Sequence, residues 1–293
     1  MRIIGTGSFL PNTIVSNKEI TDTPEWVEYK LGIKERRMTN NLSSDIGAIA
    51  AERAIKSAGL EPLDIDMIIV ATSTPDKMSP STAAIIQDKI GAYSSVCFDI
   101  NAVCTGFIYA LLLADKLSQD YRNILVIGVD TFTHITDWKN RDCVFFGDGS
   151  GAVVINKGYY RGCAGLRTDG RGRHGFYCDH GDTFNMDGHA VYIAGTTLLP
   201  SLINKVLQSE GLTIGEIDYM LPHQASIGML KKLADIIGID WSKVLTNMDK
   251  YGNTAAASIP ILLDENEFKL GDRLLLAAIG SGWTYGAIIL EWS

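Results

Sequence analysis

Apolar runs of strand length alternate along the chain with stretches whose apolar residues recur every three to four positions. Residues 67–71, 95–100, 124–129, 151–155, 219–221, 274–278 and 287–290 read as strands. Residues 44–58, 82–90, 105–118, 196–210, 228–237 and 255–266 read as helices. Such alternation predicts an α/β fold. Residues 1–10 (MRIIGTGSFL) predict a short strand and turn broken at Gly5 and Gly7, and the Gly-, Arg-, His- and Asp-rich stretch 158–188 predicts surface loops. The longest apolar run, 102–113, meets Asp115 and Lys116 and is too short to span a bilayer.

The two halves of the pattern repeat. Residues 53–69 (RAIKSAGLEPLDIDMII) align without gaps on residues 205–221 (KVLQSEGLTIGEIDYML), 152 positions later, with Ser57/Ser209, Gly59/Gly211, Leu60/Leu212, Ile65/Ile217 and Asp66/Asp218 identical. Each copy reads as a helix, a glycine at its C-terminal end and a buried strand. Residues 122–127 (RNILVI) match 273–278 (RLLLAA) at a shift of 151, and 151–155 (GAVVI) resemble 286–290 (GAIIL) at 135. Three matches in one order predict an internal duplication: lobes 1–157 and 158–293 about a pseudo-twofold axis, with a cleft between them.

Composition narrows the partners. With 46% hydrophobic and 20% charged residues the chain can bury a sizeable core, which excludes disordered, collagen-like and coiled-coil classes. Lys and Arg number 26 against 34 Asp and Glu, a net charge of −8, which lacks the basic excess that attracts nucleic acid. No targeting signal is read at the start, so a soluble cytoplasmic protein is expected, without a membrane partner. Cys97, Cys104, Cys143, Cys163 and Cys178 are odd in number and scattered, which argues against a disulfide framework.

Cys104 falls between strand-like 95–102 and helix-like 105–118. A helix N-terminus there would favour a thiolate, lower the thiol pKa and supply N–H groups for an oxyanion. A small buried cysteine in a tight strand-to-helix turn fits the same position. Sliding Cys104-Thr105 by 149 reaches Asn253-Thr254, between strand-like 244–247 and a helix, so Asn253 is expected as the symmetry mate of Cys104. His223 follows the strand 219–221 as Ala71 follows 67–70. All three polar groups would then emerge at one cleft, a set that also suits a cysteine protease.

At these residues the sequence resembles the β-ketoacyl-acyl-carrier-protein synthase III family of the thiolase-like superfamily over essentially its whole length. The matching segments are 3–11 (IIGTGSFLP), 25–37 (EWVEYKLGIKERR), 99–110 (DINAVCTGFIYA), 146–153 (FGDGSGAV), 222–225 (PHQA), 252–258 (GNTAAAS) and 280–286 (GSGWTYG). The resemblance implies a duplicated five-layered α/β/α/β/α fold, a homodimer, and no cofactor beyond the CoA thioester and carrier-protein phosphopantetheine substrates. It makes Cys104 the acyl acceptor from acyl-CoA, and His223 and Asn253 its partners in decarboxylative condensation with malonyl-acyl carrier protein. The backbone N–H groups of Cys104 and Ser281 would hold the oxyanion. It implies CoA contacts at Trp26, Lys30, Arg141, His189 and Ser226, and an acyl pocket with Ile279, Trp283 and, reaching from a partner subunit, Met78. Lys30 stands where the family usually has Arg, Ser226 and His189 where it has Asn, Ser281 where it has Gly, and the chain is slightly short for the family.

Three other readings stand beside this one. The same Cys-His-Asn set serves specialised condensing enzymes of secondary metabolism or acyl transfer to a heteroatom. A noncatalytic partner subunit would keep the motifs. Cys163, His174, Cys178 and His180 have residue types that suit zinc, but not a familiar spacing, and Arg171 and Arg173 disfavour a cation there, so no metal site is assigned. Lys231 and Lys232, after His223, are candidates for docking an acidic carrier protein.

Overall fold

The structure is a computed structural model that describes residues 1–156 and 164–293. In chain order its first strands are β1 (Arg2–Phe9), β2 (Thr13–Ser16), β3 (Glu35–Met38), β4 (Met67–Ala71), β5 (Val96–Ile100), β6 (Asn123–Asp130) and β7 (Gly149–Asn156). There follow β8 (Ala164–Thr168), β9 (Phe176–Cys178), β10 (Phe184–Met186), β11 (Tyr219–Pro222), β12 (Arg273–Gly280) and β13 (Thr284–Glu291). The helices are α1 (Pro24–Leu31), α2 (Ser43–Ser57), α3 (Thr82–Ile90), α4 (Gly106–Leu117), α5 (Gly188–Ser209), α6 (Ile227–Ile237), α7 (Met248–Tyr251) and α8 (Ser258–Glu265).

One sheet runs β1-β7-β6-β4-β5 and the other β8-β13-β12-β11. The order and sense match strand for strand: β4 lies parallel to β6 as β11 does to β12, and the next two pairings are antiparallel in both sheets. Helices α2 and α3 cover one face of the first sheet, α4 and α8 fill the space between the sheets, and α5 and α6 cover the far face of the second. This is the five-layered α/β/α/β/α arrangement. Its middle layer buries Phe107, Leu111, Leu262 and Leu263, each of which would cost about 2–5 kcal/mol to truncate to Ala.

The aligned segments carry the same hydrogen bonds. Gly59 and Gly211 end their helices at φ 68° and 67°. Beyond them Asp66 and Asp218 each accept from the backbone N–H that opens the neighbouring strand, Asn123 and Arg273 respectively. Those partners, and the pairing of Met67 with Ile124 and Tyr219 with Leu274, set the shift of β6 onto β12 at 150, one less than the sequence match gave. The shift of 135 between β7 and β13 is the one seen in the sheets.

Other readings change. Gly5 and Gly7 do not break β1; they let α2 lie against it, since a Cβ at either would come within 2.4 Å of Ala54 backbone atoms. Helix α5 begins eight residues before the predicted start, capped by Asp187, whose carboxylate accepts from the N–H groups of His189 and Ala190. Low-propensity Gly188 and Gly195 hide that first part from the pattern. It is the one helix among the described residues long and apolar enough to cross a membrane, yet its Leu199, Leu202, Ile203 and Val206 pack into the second sheet's core. Stretch 158–188 is not all loop: β8 completes the second sheet, and β9 pairs with β10. Residues 244–247 form no strand, only a single parallel bridge from Val244 to Met220 at the place β5 takes beside β4.

Candidate active site

Cys104 sits in a single helical turn, Val103–Thr105, between β5 and α4. The turn is locked to the second sheet: Thr105 Oγ1 donates to the Thr284 carbonyl at 3.0 Å, and Thr284 Oγ1 donates to the Ala102 carbonyl at 3.1 Å. Gly280 lies directly over it, where a Cβ would come within 3.0 Å of the Cys104 nitrogen. The thiol is almost wholly buried. Burial, helped by the nearby Asp130 carboxylate, pushes it well above the usual thiol range, and its own backbone N–H pulls back less. This overturns the expectation of a lowered thiol pKa: Cys104 does precede α4, but desolvation outweighs the helix terminus in the substrate-free chain.

Asp130, at the end of β6, is the electrostatic floor of the site. One carboxylate oxygen accepts from Ser73 N at 2.7 Å and from Thr74 Oγ1 at 3.1 Å, and the other from Ala256 N at 3.0 Å. Burial nonetheless raises its carboxyl to about 7.

His223 leaves the end of β11 and is fixed by its backbone N–H to the Ala277 carbonyl at 2.8 Å. Its Nδ1 lies 2.9 Å from Ser258 Oγ, and burial lowers the imidazole to about 4, so the ring is neutral at pH 7. Asn253 is held from both sides: its N–H donates to the Phe145 carbonyl at 2.9 Å, and its carbonyl accepts from Gly147 N at 3.1 Å. Its side-chain oxygen accepts from Ala255 N at 2.8 Å, which leaves the amide NH2 as the group to offer a ligand.

The backbone corrects the expected pairing of Cys104 with Asn253. Val103 and Ala255 both take positive φ, 48° and 47°, and both donate their N–H to an asparagine side-chain oxygen two residues earlier, Asn101 and Asn253. The register is therefore 152, as in the long repeat: Asn253 is the mate of Asn101, and Cys104 is the mate of Ala256.

Cys104, His223 and Asn253 line one cavity of about 40 Å³ together with Phe146, Phe176, Ile279, Ser281 and Trp283. Asn253, Ala225, Met186 and Val191 are shared with an adjoining channel of about 620 Å³. Trp26, Lys30, Arg141, His189 and Ser226 all line that channel, and the Arg141 guanidinium stacks 4.1 Å from the Trp26 ring.

The family model for 3-oxoacyl-[acyl-carrier-protein] synthase III matches residues 98–170, and the model for its C-terminal part matches residues 207–292. The β-ketoacyl-[acyl-carrier-protein] synthase III of Clostridium acetobutylicum is 40% identical, the alignment covering all of this chain and 99% of that protein. That of Agrobacterium fabrum is 37% identical over 98% of each. The chain belongs to the synthase III family. Among solved structures, the 3-oxoacyl-[acyl-carrier-protein] synthase III of Aquifex aeolicus has a TM-score of 0.96 at 37% identity, covering 99% of both chains. The priming β-ketosynthase of the R1128 polyketide pathway has 0.93 at 29%, covering 99% of this chain and 96% of that one.

Not every residue singled out in this synthase III relative comes together. Met78 is 91% exposed in the loop between β4 and α3 and lines no part of the Cys104 cavity in a single chain. Cys163 lies outside the described residues, and among those described no cluster of His, Cys, Asp and Glu could hold a metal. Cys178 turns instead to the carbonyls of Asp179 and Asp182. What the sequence reading missed is aromatic. Phe132, Phe146, Phe176 and Phe184 are buried around Cys104, with ring centroids 4.4 Å apart for Phe132 and Phe146 and 4.8 Å for Phe146 and Phe184. They come from a short 3-10 helix, a loop and two short strands, so no periodicity marks them. Ser281 ties this wall to the turn over Cys104 through a short hydrogen bond to the Phe176 carbonyl.

Proposed function

We propose that the chain is a condensing acyltransferase of the synthase III type, with Cys104 as nucleophile and His223 and Asn253 as the donors that stabilise the enolate. The observation that carries this is the shared cavity of those three side chains, opening into a channel edged by Trp26 and Arg141. An acyl-CoA threads its pantetheine arm down the channel past His189 and Ser226, with Lys30 and Arg141 near its phosphates. Cys104 sulfur bonds to the acyl carbon, the carbon–sulfur bond to CoA breaks, and the thiol proton leaves on the CoA sulfur. The backbone N–H groups of Cys104 and Ser281 hold the oxyanion, and Ile279 and Trp283 border the acyl group.

Malonyl-acyl carrier protein then takes the place of CoA. Its carboxylate leaves as carbon dioxide, and the electron pair becomes an enolate held by Asn253 and His223. The enolate carbon bonds to the acyl carbon, the thioester to Cys104 breaks, the thiolate takes a proton from solvent to restore the thiol, and 3-oxoacyl-acyl carrier protein departs. Loss of carbon dioxide supplies the drive, so the scheme calls on no resident cofactor. The two-lobe organisation, 1–157 and 158–293, is supported by the matching sheets and by β8, which follows the boundary and pairs only within the second. A cytoplasmic homodimer is the expected setting. Strand β5 leaves one edge of the first sheet unpaired, with Val96, Tyr93 and Met78 exposed nearby, which supports pairing with a second copy that would bring Met78 to the partner's site.

Intact-protein mass spectrometry after incubation with acyl-CoA thioesters tests the first step. Cys104 is expected to gain the acyl mass, Cys104→Ala to gain none, and malonyl-acyl carrier protein to discharge the label as a 3-oxoacyl product. Absence of acylation across chain lengths would refute the reading. The likeness to a polyketide priming ketosynthase favours, as a second reading, a condensing enzyme that primes secondary metabolism. An acylated enzyme that discharges only to a polyketide-type carrier protein would select it.

A further inference from the structure

His223 and Ser258 face each other at positions that mirror Ala71 and Gly106 in the first half, at the repeat shift of 152. In the first half the two are a bare methyl and a glycine, so close that a Cβ on Gly106 would stand 3.1 Å from that of Ala71. In the second half the same space holds an imidazole and a hydroxyl 2.9 Å apart. A histidine and a serine thus replace, as a pair, two residues with no polar side chain, and both are almost wholly buried.

We propose that Ser258 is a positioning residue that donates its hydroxyl proton to His223 Nδ1, and so fixes the ring as the Nε2–H tautomer that condensation needs. This rests on the enolate-stabilising role given to His223 above. A neutral imidazole carries one N–H, and only the tautomer with hydrogen on Nε2 gives the cavity a second donor beside the Asn253 amide. The Nδ1 side holds two oxygens, Ser258 Oγ and the Ala255 carbonyl, which lies within hydrogen-bond reach of the ring and accepts the Ser258 hydroxyl at 2.9 Å in the structure. That carbonyl already accepts the Ser258 backbone N–H, so the hydroxyl can turn to Nδ1 without orphaning it. Remove the hydroxyl, and Nδ1 faces an acceptor alone. The ring then takes its hydrogen on Nδ1 to satisfy that carbonyl and presents a bare Nε2, which repels an enolate oxygen.

The test separates the half-reactions. Ser258→Ala is expected to be acylated by acetyl-CoA within a few-fold of wild type and to lose about 10²–10³ in condensation with malonyl-acyl carrier protein, the cost of one oxyanion donor. Ser258→Thr, which keeps the hydroxyl, is expected to recover most of that loss. Nitrogen-15 NMR of the wild-type imidazole is expected to show a pyrrole-like Nε2 and a pyridine-like Nδ1, whatever the folding of the variants. A protonated Nδ1 in wild type, or an acylating Ser258→Ala that condenses at the wild-type rate, overturns the proposal. Failure of wild type to be acylated at all would count against the proposed function instead.

Discussion

The turns 101–105 and 253–257 have nearly one backbone and opposite fates. Each has an asparagine that accepts the N–H of a residue at positive φ, and each leads into a helix of the middle layer. Asn101 is exposed at the end of the edge strand β5, whereas Asn253 is buried and lines the Cys104 cavity. The Cys104 thiol sits in the first turn, where the second has Ala256. The duplication gives two equivalent scaffolds with different functional groups, and the proposed chemistry divides the work between them: the nucleophile on one, a hydrogen-bond donor on the other. The largest expected effect tests this division. Asn253→Ala should lose about 10²–10³ in condensation while Cys104 is still acylated. Asn101→Ala, the same change on the same backbone, should keep activity within a few-fold. Equal losses in steady-state assays of the two variants would show that the asparagines serve the turns and not the reaction.

The repeat is also why so much of the molecule was legible beforehand. Buried strands such as 67–71 and 219–221 are short apolar runs flanked by a helix and a glycine, so both periodicity and self-comparison find them. Cys104 and His223 were legible because each lies just past the end of a strand, the place at which an α/β sheet opens to ligands, whereas Asn253 follows α7 and only self-comparison and family resemblance point to it. Three things escaped. The register at Cys104 was misjudged by three residues because Asn101 and Asn253 are linked by backbone conformation, which sequence does not display. The raised thiol pKa depends on Asp130 and on burial by the second lobe, both remote in sequence. The phenylalanine wall draws on residues 132, 146, 176 and 184, which only tertiary packing brings together.

A second contrast lies between His223 and its mate Ala71, because only one of them titrates. Burial holds His223 at about 4 against 6.5 for the free side chain, so between these values the unfolded chain binds a proton that the native chain refuses. Its contribution is complete above pH 6.5 and is lost as pH falls toward 4, about 3 kcal/mol in all. Asp130 acts in the opposite sense: raised to about 7 from 3.8, it makes the native state bind the extra proton, so its contribution weakens as pH rises through that window. The two slopes oppose each other, so the sum conceals both. Denaturant titrations of wild type and His223→Asn across pH 4–7 should therefore give a difference curve that favours wild type more at the upper end. A flat difference would mean that the imidazole is not held neutral by the fold.

Close packing of the lobes gives the next effect. Gly128 on β6 lies under the second turn, where a Cβ would come within 2.3 Å of the Ala256 carbonyl, while its counterpart on β12, Ala278, is buried with its methyl in place. Gly128→Ala should destabilise by about 1–3 kcal/mol through overpacking against backbone that cannot yield. It should also slow condensation, because Ala256 N binds the Asp130 carboxylate below the site. Wild-type stability in this variant would mean that the lobes can separate here at no cost.

The smallest effect probes what the two halves still share. Gly59 and Gly211 end corresponding helices at φ 68° and 67°, and a Cβ on either would meet no atom within 4 Å. Neither Gly→Ala change can act through packing, so the cost comes from placing an L residue in the left-handed region, offset by the lower chain entropy of Ala when unfolded. Each variant should lose about 1 kcal/mol, and the pair should agree within about 0.5 kcal/mol and add in the double variant, as distant independent sites do. Unequal costs would show that the two halves differ in stability even where their backbone conformations coincide, so that equivalence of shape at the turns is no guide to equivalence of energy.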